Sequence, residues 1–486
     1  MTPLWIRDYN SRPEDDQINL EVSNMRRSIL FLQGPPSLFW RQLCDRFDSA
    51  GARTHRINFS LGDWAYWRKS GAVNYRGRFS RWAGFLRDYL VQHQITDILY
   101  FADRLPYHAV AREVAESLGI RTYAVEFGYL RPDWLTLERG GMGTLSHFPT
   151  DPQTIRAIAR RVGPFKQDDA HYSHSFGQEA FNEVLYNLLT SLVPYFFPLY
   201  RTDKYYLPLL DYLRWLPRMI GQRLYEPARV AAADVLRHSD DRYWMLALQM
   251  QADYQLRANS AYSDQRHVIE EVISSFAQHA PQDGSLIIKL HPLDNGMERW
   301  ERFVARTSER HGVTSRVIAV TDCDLKRTIK HSQGVITVNS TVGLHALRAN
   351  CPVKVLGMAM YDIEGLTHQG PLETFWTQPQ RVNKPLLKDF VAAIAATVQV
   401  HGSFYNRAGR DAACAEIVRR VLNDEVNGQG AFVDPPPRLE RALQSNVPIF
   451  GSLRGSGIEP ATGVAPVITP PETDVQPSGA NVAPAA

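Results

Sequence analysis

A chain of 486 residues, 44% of them apolar, is long enough for two or three domains around a large buried core. Lys and Arg exceed Asp and Glu by only three charges, too small a surplus to point to nucleic acid. Cys44, Cys323, Cys351 and Cys414 lie far apart with no C-x-x-C pair, which excludes a zinc ribbon or a disulfide framework and fits a reducing cytoplasm.

Residues 1–26 are polar, of mixed charge and without the apolar core of a signal peptide, and predict a loose N-terminal arm. The spacing then predicts a strand at 28–33, a helix at 38–50, a strand at 54–59 and an aromatic, Arg- and Gly-rich loop at 60–78. A helix at 79–94, a strand at 97–102, a helix at 107–118 closed by Gly119 and a strand at 121–127 follow. Strands alternating with helices imply a parallel sheet, a first Rossmann-like acceptor domain over 27–164.

Residues 165–235 mix Tyr, Phe, Trp, Leu and Pro with Arg and Lys, as in 195–206 and 212–223. Two readings stay open: contact with a membrane interface, or a helical linker packed on both domains. No run of about 18 apolar residues predicts a membrane-spanning helix.

A second alternating series starts at 242–251. Helices are expected at 266–279, 297–311, 325–331 and 341–348, and strands at 286–290, 316–320, 335–338 and 353–356. They make a second Rossmann-like domain over 236–385, for nucleotide-sugar binding. Closing helices and a connection occupy 386–450, and the Gly, Pro, Ala, Ser and Thr of 451–486 predict a disordered tail. The expected fold class is α/β and GT-B-like, with two Rossmann-like doubly wound domains facing a cleft. Fold alone does not give function.

Carboxyl ends of parallel strands are where such folds bind ligands. His291 and Pro292 follow a strand, where an imidazole aimed by a rigid turn donates to a phosphate oxygen or simply caps the strand end. Asn339, Ser340 and Thr341 sit at a strand-to-helix turn, which suits N-capping and anion binding alike. Lys289 is structural or phosphate-facing. Asp253 ends the run through Gln249 and is a nucleophile, a base or a cap on the next turn. In Glu126-Phe-Gly-Tyr-Leu-Arg-Pro132, Gly128 permits a tight turn that sets Glu126 and Arg131 at the cleft edge. Glu126 fits an acid/base, Arg131 with Tyr129 an anionic acceptor or sugar carboxylate, and a structural Glu–Arg pair is the alternative.

Asp103 with Arg104, Glu138, Gln249 and His368 are weaker candidates. Asp322-Cys323-Asp324 imitates a D-x-D metal motif but precedes a helix and reads as a cap. Gly140-Gly141-Met142-Gly143 lacks the strand–turn–helix context of a dinucleotide site, and His368 lacks the helical spacing of a metal pair. No residue set is assigned to a metal.

Taken together, 126–132, Leu248-Gln249 with Asp253, 274–277, 289–293, 339–343 and 365–370 resemble the bacterial capsule polysaccharide proteins of the KpsS type, relatives of the repeated KpsC modules. The resemblance runs from about residue 27 to about residue 420. It implies a retaining β-Kdo transferase that uses CMP-Kdo and starts an oligo-Kdo linker on lysophosphatidylglycerol at the cytoplasmic face of the inner membrane. It further implies that the His-Pro and Ser/Thr elements hold CMP, whose single phosphate needs no bridging metal. A KpsC-like transferase and capsule export machinery are the implied partners, and nucleic acid is not. On this reading His291, Ser340 and Thr341 stabilise the departing phosphate, Asp253 or Glu126 attacks or shields the anomeric carbon, and the other manages the acceptor proton; Asp253 is preferred as nucleophile because its strand end neighbours the donor site. A GT-B enzyme for another nucleotide sugar and a non-catalytic export factor that binds the glycolipid are the competing readings.

Overall fold

The computed structural model describes residues 27–165, 171–172, 176–191, 193–202, 204–206, 242–321 and 323–449. The expectations for the N-terminal arm, the tail and the aromatic run at 212–223 lie outside them.

Six strands open the first sheet: β1 (Ser28–Phe31), β2 (Arg53–Asn58), β3 (Val73–Asn74), β4 (Asp97–Phe101), β5 (Arg121–Phe127) and β6 (Trp134–Arg139). The second sheet holds β7 (Tyr243–Ala247), β8 (Ser285–Lys289), β9 (Val317–Val320), β10 (Gly334–Thr337) and β11 (Val353–Val355). A last strand, β12 (Gln399–His401), returns to the first sheet. The orders are β12-β6-β5-β4-β1-β2-β3 and β11-β10-β7-β8-β9. β1 to β5 are parallel, and β6 and β12 add an antiparallel edge. All pairings of the second sheet are parallel. Strands such as Ser-Ile-Leu-Phe of β1 are buried on both faces, as a helix-covered parallel sheet requires.

The expected loop at 60–78 instead holds a helix, Leu61–Trp67. Ser60 and Asp63 form a reciprocal capping box, and Asp63 is buried 3.3 Å from the Arg56 guanidinium. The Trp and Tyr content of this turn hid its periodicity.

β8 and β10 are not neighbours; β7 lies between them. The register aligns Thr337 with Ala247 and Ala247 with Lys289, so the three carboxyl ends finish in one row. The chain moves outward from β7 to β8 and β9, then returns to β10 on the other flank. The loops after β7 and β10 therefore part and open a crevice.

After the second sheet, helix Lys384–Thr397 packs on helix Pro152–Val162, and helix Arg407–Leu422 packs on helix Phe39–Ser49. Phe404, Ala413, Cys414 and Ile417 share one core with Phe31, Phe39 and Trp40. The segment expected only to close the chain thus completes the first domain. Arg438 fastens the two halves: its buried guanidinium donates to the carbonyls of Phe148, after β6, and Met360, after β11, each at 2.7 Å.

Candidate functional site

Asp253 caps the short helix Tyr254–Ala258. One carboxylate oxygen accepts from the Gln255 N–H at 2.9 Å and the other from the Gln249 amide at 3.2 Å. Gln249 is itself pinned by Gln265, whose side-chain oxygen accepts its N–H at 2.9 Å and whose amide donates to its carbonyl at 2.7 Å. The Gln249 side-chain oxygen accepts from the Asn339 N–H at 3.3 Å. One buried glutamine thus ties the loop after β7 to the loop after β10 across the crevice. Burial raises the pKa of Asp253, opposed by these hydrogen bonds and by Arg131 and Arg257.

Asn339 donates to the Gln255 carbonyl at 2.9 Å, while its own side-chain oxygen is buried without a hydrogen-bond partner. Ser340 Oγ accepts from the Val342 N–H at 3.3 Å. The helix runs over Val342–Arg348, one residue later than expected, which leaves Thr341 at the cap position with no side-chain cap bond.

On the other flank of β7, His291 Nδ1 accepts from the Leu293 N–H at 3.2 Å. That bond assigns the neutral ring's proton to Nε2, which is a donor. Burial, with help from the Lys289 and Arg131 charges, pushes the imidazole down to about 4, so it is neutral at physiological pH. Pro292 is exposed. Lys289 is buried and donates to the Leu290 carbonyl at 3.2 Å, so it is anchored to its own chain beside the histidine.

The first domain meets this edge through Glu126, near the end of β5. Its carboxylate accepts from the Gln255 amide at 2.6 Å and from the Tyr254 hydroxyl. Gln255 accepts in turn from Asn259 at 2.6 Å, and Asn259 accepts from the Thr144 N–H at 2.7 Å. The helix capped by Asp253 is therefore the same one that grips Glu126. Burial first, and then the Asp253 charge, push Glu126 up to about 7, against the hydrogen bond from Tyr254. The expected alternative of a Glu126–Arg131 pair is corrected: among the described residues Glu126 takes its bonds from Tyr254 and Gln255. Arg131 is exposed, lies over the Phe127 ring at 5.2 Å, and its charge reaches Asp253, His291 and His345. Tyr129 donates its N–H to Gln399 at 2.7 Å, and burial holds its phenol protonated near Glu138 and Glu126.

Asp103 and Glu138 are fully buried behind Glu126. Asp103 accepts from the Met142 N–H at 2.9 Å and Glu138 from the Ser146 hydroxyl, and each keeps one oxygen without a partner. Burial pushes Glu138 up from 4.5 to about 8. The folded chain holds this proton where the unfolded chain has released it. Below 4.5 there is no penalty, and stability falls as pH rises from 4.5 to about 8. Glu138→Gln, which keeps an acceptor for Ser146, is expected to stabilise the fold at neutral pH by on the order of 2 kcal/mol. Melting curves should show its gain over the parent growing between about pH 5 and about pH 8. A constant difference would contradict the assignment.

Three further groups prove structural. His368 Nε2 lies 2.9 Å from Thr374 Oγ1, and its Nδ1 accepts from the Gln380 N–H at 3.3 Å; this braces the turn after β11 and removes it from the candidate site. Gly143, at φ +58°, lies where a Cβ would come within 2.5 Å of Asn259 Oδ1, so the glycine run permits the contact between domains. Asp324 caps helix Leu325–His331, and Asp322 lies outside the described residues. Cys44, Asp45 and Asp48 have metal-ligand spacing, but the Lys69 ammonium sits among them, 2.9 Å from Asp45.

Sequence reasoning missed Tyr254, Gln255 and His345. Gln255 follows Asp253 by two residues, the position an N-cap contacts. His345 lies four residues beyond Thr341, on the same helix face, which was the available signal.

Two parallel α/β domains whose strand ends meet around two carboxylates, a neutral imidazole and an exposed guanidinium define a GT-B-like protein with a polar interdomain site. The chain belongs to the capsule polysaccharide biosynthesis protein family, whose model matches residues 96–405. It is 33% identical over 380 residues to the capsule polysaccharide export protein KpsS of Escherichia coli, covering 78% of this chain and 97% of that one. It is 31% identical over 393 residues to the capsule polysaccharide modification protein LipB of Neisseria meningitidis serogroup B, covering 78% and 92%. Among solved structures it is similar to the Thermosulfurimonas dismutans KpsC β-Kdo 2,7 transferase, at 15% identity and a TM-score of 0.39, covering 81% of this chain and 98% of that one. Among the described residues no helix is long and apolar enough to cross a membrane.

Proposed function

We propose that this chain is a retaining β-Kdo glycosyltransferase. It moves Kdo from CMP-Kdo to a phosphatidylglycerol or lysophosphatidylglycerol acceptor and so starts the linker of a capsular polysaccharide. The observation that carries the reading is the single turn Asp253–Asn259, which fixes Asp253 at its start and holds Glu126 of the opposite domain. Two half-buried carboxylates, both pushed up by their surroundings and set beside a neutral donor imidazole, suit a double displacement on an anionic donor.

His291 Nε2–H and the Ser340 and Thr341 hydroxyls hold the CMP phosphate and stabilise the charge it gains on leaving, while Asn339, whose donors are taken by Gln249, Gln255 and Asn259, sets the turn that presents the hydroxyls. Asp253 attacks the anomeric carbon as the bond to the phosphate oxygen breaks, inverting that carbon. Glu126 then takes the proton from the acceptor hydroxyl as its oxygen displaces Asp253, inverting the carbon again. Two inversions give net retention. Arg131, exposed at the mouth and without an ion-pair partner among the described residues, fits the sugar carboxylate or the acceptor phosphate. A donor with one phosphate makes no demand for a bridging metal. The reaction takes place at the inner-membrane surface, and a KpsC-like transferase and export machinery take the product onward.

Incubation with CMP-Kdo and a lysophosphatidylglycerol analogue, followed by mass spectrometry, is expected to yield the acceptor plus one or more Kdo units. Release of CMP from another nucleotide sugar instead would transfer the reading to that donor. The word export in the name of the Escherichia coli relative favours a second reading, a carrier that binds glycolipid without chemistry; it predicts binding with no CMP release from any donor. His291→Ala is expected to lower kcat/KM for the donor by about a hundredfold, with little change in acceptor KM. Equal losses toward both substrates would place the imidazole away from the phosphate.

A further inference from the structure

Helix Phe176–Ser191 turns its polar side inward. The buried Tyr186 hydroxyl donates to Asp63 at 3.0 Å, and the Tyr66 hydroxyl donates to Asn182 at 2.8 Å. Glu179 and Glu183 act on Tyr405, on that same inner side. At about 100° per residue, Phe181, Val184 and Leu188 fall within an arc of about 60° on the opposite side. Phe181 is 66% exposed and Leu188 54%. The next stretch continues the surface with Tyr195, 84% exposed, and with Phe196 and Leu199. So many large apolar side chains exposed within one stretch are unusual on a chain that stays in water.

Exposed Arg201 and Lys204 follow Leu199 in the same stretch, while Glu179 and Glu183 lie on the inner side of the helix. The surface also adjoins the cleft. Tyr200 stacks on Tyr107 at 5.6 Å, and Tyr107 stands at the carboxyl end of β4. Tyr205 carries the Arg257 guanidinium at 5.4 Å, on the helix that Asp253 caps.

We propose that this face, centred on Phe181, Leu188 and Tyr195, docks the protein on an anionic lipid bilayer and presents the cleft to a lipid headgroup. The aromatic and aliphatic side chains enter the headgroup boundary, and Arg201 and Lys204 meet the negative surface. The lipid-facing role of the cleft rests on the transferase reading; the docking itself does not.

The test is flotation of the full chain with phosphatidylcholine vesicles, with and without about one third phosphatidylglycerol. Binding is expected only with phosphatidylglycerol, and it should weaken with salt. A Phe181→Ser, Leu188→Ser, Tyr195→Ser variant is expected to partition at least about tenfold less, while CMP release with a short-chain, water-soluble acceptor is unchanged. Arg201→Glu with Lys204→Glu probes the same face without touching the apolar positions and is expected to lose the phosphatidylglycerol preference. Unaltered flotation of both variants overturns the proposal. So does a concentration-dependent dimer, seen by sedimentation, that the triple variant abolishes, since the face would then pair two copies. Vesicle binding that depends on this face, in a chain with no transfer activity toward any acceptor, upholds docking and refutes the transferase reading.

Discussion

Asp253→Asn is expected to lower the rate of sugar transfer by about three to four orders of magnitude, on the order of 5 kcal/mol of lost transition-state stabilisation. The fold should survive, because an amide oxygen still accepts from the Gln255 N–H that the carboxylate caps. If Asp253 were only a cap, Asp253→Ala would cost about 1 kcal/mol of stability and leave transfer almost untouched. Two measurements on the same protein therefore separate the roles: melting temperature and turnover. Intact-mass analysis of the parent chain given donor without acceptor is expected to reveal a sugar adduct that the Asn variant lacks. Gln249→Ala should cost much less, roughly tenfold to thirtyfold in kcat, since it removes the group that aims the carboxylate and leaves the carboxylate in place. Near-normal turnover of either Asp253 variant would end the double-displacement mechanism.

The aim of that carboxylate marks the boundary of what the residues alone disclose. The row of strand ends was legible because β7, β8 and β10 are largely apolar runs, and each gives way to polar residues within a few positions. Asp253, His291 and Asn339 could be put on one edge from that pattern. Their mutual wiring could not. Gln249 reaches Asn339 across 90 positions inside the second domain and Glu126 reaches Gln255 across 129 between the domains, and no local periodicity encodes either contact. The antiparallel edge escaped for the same reason. β12 has three residues and gains its identity from pairing with β6, far back in the chain. The glycines at 140–143 had no evident purpose until Asn259 of the other domain was seen against Gly143. His368 shows the converse: a conspicuous histidine whose two nitrogens are spent on its own turn.

Glu126 supplies the second large effect, and it is one of pH. With its carboxyl pushed up to about 7, half of the molecules hold the proton at neutrality. Only the carboxylate accepts a proton from the acceptor hydroxyl, so transfer is expected to rise with pH through a midpoint near 7 and then level off. His291 titrates near 4 and adds no limb in that range, which leaves the midpoint assignable. Glu126→Gln should remove the limb and lower the plateau by about two to three orders of magnitude. Tyr254→Phe gives the finer test, since the tyrosine positions the carboxylate and favours its charged form. Deleting that hydroxyl is expected to move the midpoint upward while most of the plateau rate survives at high pH. A residue that merely held the domains together would lower the rate at every pH alike. The same raised pKa makes the fold less stable as pH climbs from 4.5 to about 7, because the unfolded chain gives up the proton first. Catalysis and stability at Glu126 thus run in opposite directions over one pH window, and a Gln variant that retained both the rate limb and the stability slope would assign the acceptor proton to another group.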